Sequence, residues 1–278
     1  MKKKNKTRKL RIAAEQWILD RSTLRRIEER TGVAYRTKWK EVQEYANHIP
    51  SPLENLSNNL DKATGILMLD GTFVKVLGED RCIHIAYDTG IGVIDYWIDD
   101  TENKTAYYYL LQRIESTGYN IKIGISDGNW SLESVFRERN IPHQLCIFHL
   151  IGTLRRLLTR RNSWDQSIPS EYKVMYSRIK YILKSQDIYR MVKGIENIRI
   201  LTPCWTQSKH KKVLKWFWKN IVRATIHLSY EEKVPSTSNA LENINGQIKA
   251  RLKTFRGIKS ENSLNKFLKI LFYFRKYK

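Results

Sequence analysis

Apolar positions fall in two kinds of run along this chain. Residues 66–76, 82–87 and 92–98 are short stretches of apolar, β-favouring residues bounded by Gly- and Asp-containing turns, which predicts three meandering strands. Residues 121–126 predict a fourth strand, too continuously apolar for an edge, and 144–148 a short fifth. Helical spacing marks 105–117, where Tyr108, Leu111 and Ile114 share a face, and 131–139. Upstream, 11–47 is helical: Ser22 caps a helix over 23–30, Thr31-Gly32-Val33 makes a tight turn, and a second helix runs 35–45. Residues 150–234 are helical and carry Trp164, Trp205, Trp216 and Trp218. A long helix follows over 238–255, then a break at Gly257 and a basic helix to the end.

This order, β-β-β-α-β-α-β and then helices, matches an RNase H-like α/β core, a mixed five-stranded sheet with flanking helices. An all-helical insertion interrupts it and a small helical DNA-binding region precedes it. The expected organisation is a basic tail and helix-turn-helix-like region over 1–47 and a Pro-containing linker over 48–65. The first part of the core then spans 66–149, the insertion 150–234, and the helices completing the core 235–278. On the second helix of the hairpin, Arg36, Lys38 and Lys40 are positioned to meet DNA, although any short helical hairpin with a Gly turn would read the same way.

Composition narrows the class. Lys and Arg number 50 against 28 acidic residues, a net charge of +22, which points to a polyanionic partner; a solvated basic surface is the plainer alternative. At 41% hydrophobic content the chain is a folded protein and not a basic disordered tail. Three widely spaced cysteines form neither a disulfide framework nor a C-x-x-C pair, which predicts a reducing compartment. The basic start, Met1-Lys2-Lys3-Lys4, has no apolar segment after it, because Glu15 and Asp20 intervene. No stretch approaches the roughly 18 apolar residues of a membrane span. The expectation is a soluble cytoplasmic protein, nucleoid-associated in a prokaryotic host.

Three acids stand where chemistry is expected. Asp70 interrupts the first apolar run, Asp127 ends the fourth, and Glu242 lies just inside the helix opened by Ser236-Thr237-Ser238-Asn239. A carboxylate where a buried strand meets solvent is costly to the fold. Two-metal phosphoryl transfer needs carboxylates that converge from different elements onto ions about 3.5–4 Å apart. Asp70 would bridge two Mg²⁺ (or Mn²⁺) ions, Asp127 would bind one and Glu242 the other. Gly71 and Gly128 permit close approach. Asp-Gly pairs are also ordinary turn dipeptides, and a first-turn Glu also suits a helix dipole. Asp88, Asp95, Asp99 and Asp100 are rival acids in hairpin turns and strand ends.

These residues carry a resemblance. Leu69-Asp70-Gly71-Thr72, Ser126-Asp127-Gly128, Cys146-Ile147-Phe148-His149 and Ser238-Asn239-Ala240-Leu241-Glu242-Asn243 resemble the motifs of Mutator-like insertion-sequence transposases with an Asp-Asp-Glu triad. The Cys-x-x-His and the Ser-Asn-x-x-Glu are hallmarks of that group. Asp127 follows Asp70 by 57 residues (127 − 70) and Glu242 follows Asp127 by 115 (242 − 127), which fits a last arm interrupted by a helical insertion. The resemblance covers about residue 60 to the end. It implies metal-dependent cleavage of double-stranded DNA at transposon ends, transfer of the 3′-hydroxyl into target DNA, and a homo-oligomer assembled on DNA. Many relatives carry a longer N-terminal DNA-binding region, sometimes with a zinc ribbon. This chain has no paired cysteines there.

His143, Cys146 and His149 fall at three-residue intervals, but a strand-to-helix junction would not gather all three, and a fourth zinc ligand is not evident. Cys146 is expected in the core, with His149 supporting the active site or contacting phosphate. Lys249, Arg251, Lys253 and Arg256 follow Glu242 and could hold the DNA backbone, or form a solvated basic face. The tryptophans of the insertion could stack on unpaired bases, or pack in a core. Two rivals remain: an RNase H-like enzyme that only hydrolyses, and a transposase-derived DNA-binding protein without catalysis.

Overall fold

The structure, a computed structural model, describes residues 2–20, 22–159, 167–254 and 258–275. In chain order its elements are α1 (Lys2–Ile18), α2 (Leu24–Thr31), α3 (Tyr35–His48), α4 (Pro52–Ser57), β1 (Ile66–Val76), β2 (Glu79–Asp88), β3 (Gly92–Asp99), α5 (Lys104–Glu115), β4 (Ile123–Ser126), α6 (Trp130–Glu138), β5 (His143–Leu145), α7 (Ile147–Leu158), α8 (Lys173–Leu183), α9 (Ile188–Leu201), α10 (Ser208–Ala224), α11 (Asn239–Thr254) and α12 (Glu261–Arg275). They form two compact units, one of residues 1–121 with 239–278 and one of residues 122–238. The fold is α/β, with five strands of mixed sense: β1–β3 antiparallel, β4 and β5 parallel.

In the first unit β1, β2 and β3 form an antiparallel meander with Asp70 opposite Ile85, and Gly71 opposite His84. Residues 66–69 of β1 are all buried, whereas Phe73 and Lys75 face outward, so Asp70 sits where the strand passes from double-sided burial to a half-exposed ladder. Asn103 caps α5 by accepting from Ala106 N at 2.8 Å, and Tyr107, Leu110, Leu111 and Ile114 of that helix are buried against β2 and β3. On α11, which packs against β1, Leu241, Ile244 and Ile248 recur at helical spacing and are buried. On α12, Phe267 meets Trp17 of α1 edge-on at 5.8 Å, and Phe274 stacks on Tyr45 of α3 at 5.8 Å.

Several local readings change. The segment expected to be a basic tail is helical from Lys2, because α1 buries Leu10, Ala13, Ala14, Trp17 and Ile18 along one face. The cap of α2 is Thr23, which accepts from Arg26 N, and not Ser22; Gly32 ends that helix with φ +67°, as the turn reading required. The stretch read as a linker contains α4, whose Ser51 and Glu54 form a capping box with Pro52 in the first turn. The fifth strand is shorter than expected and ends at Leu145, so the Cys-x-x-His motif belongs to the start of α7.

In the second unit β4 and β5 run parallel, pairing Gly124 with His143 and Ser126 with Leu145. Helices α7, α8 and α10 share a core of Leu150, Leu154, Leu158, Met175, Ile179, Val213 and Phe217. Trp205 belongs to this core, which removes it as a stacking platform for bases, and Trp216 is partly buried against the same core. Trp218 is exposed, with Arg199 6.0 Å from its ring centre. Trp164, Phe255, Arg256 and Gly257 lie outside the described residues.

Candidate active site

The first unit brings together β1 and α11. Asp70 is half-buried, and both of its carboxylate oxygens are engaged: Gly71 N donates to Oδ1 at 2.9 Å and Asn245 Nδ2 to Oδ2 at 2.7 Å. Two donors on separate oxygens fix the orientation of the carboxylate. Glu242 is half-buried in the first turn of α11, three residues before Asn245, so the two share a helix face. The helix face that carries Glu242 is thus the one that touches Asp70. Asn239 is the first residue of α11 and is exposed.

A further acid, not singled out by the sequence, borders Asp70. A Cβ added to Gly71 would lie 2.9 Å from the Glu102 carboxyl carbon, so the end of that side chain lies over the glycine. The buried Tyr107 donates to Glu102 Oε1 at 2.8 Å. Burial, followed by the charges of Glu102, Asp70 and Asp99, pushes the nearby Cys82 thiol up to about 12.

Asp127 belongs to the second unit, at the carboxyl end of β4, and is exposed. Its Oδ1 accepts from Asn129 N at 2.8 Å, and Asn129 in turn caps α6 by accepting from Ser131 N at 2.9 Å. Gly128 supplies the turn with φ +86°. Beneath it, Ser126 Oγ lies 2.8 Å from His143 Nε2, and burial holds the His143 imidazole down to about 4. His143 is thereby committed to the strand end and not to Cys146.

Cys146 is fully buried at the N-terminus of α7, as the core reading expected. Burial opposes ionisation of its thiol, but hydrogen bonds with His149 and Ser238 outweigh it and hold the thiol below its ordinary value. Ser238 N approaches Sγ at 3.4 Å. The Cys-x-x-His pair therefore works as one hydrogen-bonded unit, tied to the residue that precedes α11 in sequence.

The expected DNA-contacting residues divide. Arg36 and Lys40 are exposed on α3. Lys38 is buried and its Nζ lies 2.9 Å from Glu41, so it is removed from the DNA-binding set: it falls on the same face as Val42 and Tyr45. Lys249 and Lys253 are exposed one turn apart on α11, but Arg251 is only 6% exposed and faces inward with Ile244 and Ile248. Arg256 lies outside the described residues.

Comparison with known proteins agrees on the family. The family described as "Transposase, Mutator family" matches residues 37–277. The transposase for insertion sequence element IS905 of Lactococcus lactis subsp. lactis (strain IL1403) is 23% identical over 256 residues, covering 82% of this chain and 61% of that protein. The chain thus spans under two thirds of the length of that relative. Among solved structures, the magnesium-bound HTLV-2 integrase catalytic core domain (dimeric form) aligns at 17% identity over 34% of this chain and 68% of that one; its TM-score of 0.26 carries no argument. The chain belongs to the Mutator family of transposases.

Proposed function

We propose that this chain is a DNA transposase with an RNase H-like core, in which Asp70, Asp127 and Glu242 hold two Mg²⁺ or Mn²⁺ ions. Membership of the family over 37–277 supports the class of reaction. The observation that carries the site is Asp70, oriented by Gly71 and Asn245 and served by the same face of α11 that bears Glu242. The donor set fits the group. All three offer hard carboxylate oxygens, the type that Mg²⁺ prefers, and Asp70 is preoriented by two donors on separate oxygens. When bound, such an ion pair supplies Lewis acidity to the attacking and leaving oxygens of an in-line phosphoryl displacement.

The chain's own residues do the rest. Gly71 N and Asn245 keep the Asp70 carboxylate from rotating, and the hydrogen bond to Asn129 N does the same for Asp127. Exposed Lys249 and Lys253 meet backbone phosphates beside Glu242, and exposed Arg36 and Lys40 meet those of the transposon end. The protein works as a homo-oligomer on DNA, taking transposon ends and target duplex in turn.

The decisive test uses a duplex that carries the inverted repeats flanking the gene, labelled at its end, with a second duplex and Mg²⁺. Covalent joining of the labelled 3′-hydroxyl end to the second duplex is the expected result. Cleavage without joining would make the chain a hydrolytic nuclease. Binding with neither would leave a DNA-binding protein derived from a transposase.

A further inference from the structure

Asn245 is 8% exposed, and only half of its amide is accounted for within the fold. A carboxylate can only accept, so the bond to Asp70 Oδ2 orients the amide nitrogen toward Asp70 and leaves Oδ1 as the second polar atom. That oxygen is buried and has no hydrogen-bond partner among the described residues. An unpaired buried acceptor is costly, and in native proteins it commonly marks the place of a water or an ion. A helix–strand clamp alone would not need it. Apolar side chains already hold α11, with Leu241, Ile244 and Ile248 at 0–2% exposure.

We propose that Asn245 is a positioning residue for the divalent ion at Asp70: its amide nitrogen fixes the Asp70 carboxylate, and its carbonyl oxygen accepts from the ion's water shell. Mg²⁺ gives up its waters reluctantly and keeps several when bound to carboxylates, so an acceptor beside its ligand has a donor to meet. Partners of this outer kind orient the ligands and typically change metal affinity by 10–100-fold when removed. The inference rests on the metal reading of Asp70 given above.

The test is Mn²⁺ binding followed by electron paramagnetic resonance on the full chain, alone and with duplex DNA. It compares wild type, Asp70→Asn, Asn245→Ala and Asn245→Leu. Leucine keeps the packing volume, so a folded Asn245→Leu protein with the wild-type melting temperature separates packing from polarity. The expected result is a roughly 10–100-fold weaker Mn²⁺ affinity in both Asn245 variants, with DNA affinity in EDTA unchanged. Wild-type Mn²⁺ affinity in both variants, with loss in Asp70→Asn, would overturn the role of Asn245 alone. No Mn²⁺ binding by the wild type would overturn the metal reading and this inference with it.

Discussion

Tyr119 donates a 2.7 Å hydrogen bond to Asp88 Oδ2, and that contact sets Asp88 apart from the acids assigned to chemistry. The same oxygen takes Thr64 N, Thr64 Oγ and Gly65 N, while Oδ1 takes Gly90 N and Ile91 N. Asp88 is fully buried, and its acceptor capacity is spent on knotting the β2–β3 turn to the start of β1. Tyr119→Phe is therefore expected to cost about 1–3 kcal/mol of stability, and Asp88→Ala more, because several backbone donors lose their acceptor. Urea unfolding of the variants checks this; DNA cleavage per folded molecule should not change.

Asp95, another of the rival acids, gives a pH signature. Burial raises the Asp95 carboxyl to about 6, against the partial relief of Arg113 at 3.3 Å. A carboxyl raised on folding binds its proton more tightly in the native state, so stability falls as pH rises from about 4 to 6. The cost is at most about 3 kcal/mol above that window. His143 works the other way: its folded value of about 4 lies below the ordinary one, so its contribution to stability grows as pH rises from about 4 to 6.5. Melting temperatures of wild type and Asp95→Asn between pH 4 and 7 should show the variant gaining on wild type as pH rises. A difference that does not vary with pH would contradict the burial assignment.

Two lysines one turn apart or less should behave oppositely. Lys40 is exposed, so Lys40→Ala should weaken duplex binding and reduce the log–log salt slope by about one unit. Lys38 is paired with Glu41, so Lys38→Ala should leave the salt slope alone and lower stability by about 2 kcal/mol. Filter-binding titrations across salt concentrations, with thermal melts, separate the two.

Gly124 makes a packing prediction for the second unit. A Cβ there would lie 2.4 Å from the ring of Phe136, which is fully buried. Gly124→Ala should destabilise the protein by about 1–3 kcal/mol, since neither strand β4 nor the ring can yield without opening the core. A melt at the wild-type temperature would show that the ring has room to move.

The strands around Asp70 and Asp127 were legible because double-sided burial leaves an unbroken apolar run, and an acid within or at the end of such a run stands out. The errors have equally local causes. The Lys-rich start of α1 hid a helix whose apolar face begins only at Leu10. Pro50 and Pro52 by themselves signal a loop, whereas Ser51 and Glu54 form a capping box that starts a helix over Pro52–Ser57. Charge alone places Lys38 and Arg251 at the surface, yet each shares the spacing of buried neighbours, Val42 and Tyr45 in one case and Ile244 and Ile248 in the other. Asn245 and Glu102 were not legible at all. Nothing in a sequence pairs position 245 with position 70, or places a side chain over Gly71, until the strand and helices are built.

If Asp70, Asp127 and Glu242 act together through divalent metal, as proposed, single-substitution kinetics will separate them from residues that only bind DNA. Asp70→Asn, Asp127→Asn and Glu242→Gln should each lower Mg²⁺-dependent cleavage of end-bearing DNA by at least about a thousandfold, about 4 kcal/mol in the transition state, with DNA affinity in EDTA at the wild-type level. Cleavage by any one of the three within tenfold of wild type would remove that residue from the metal site and contradict the account.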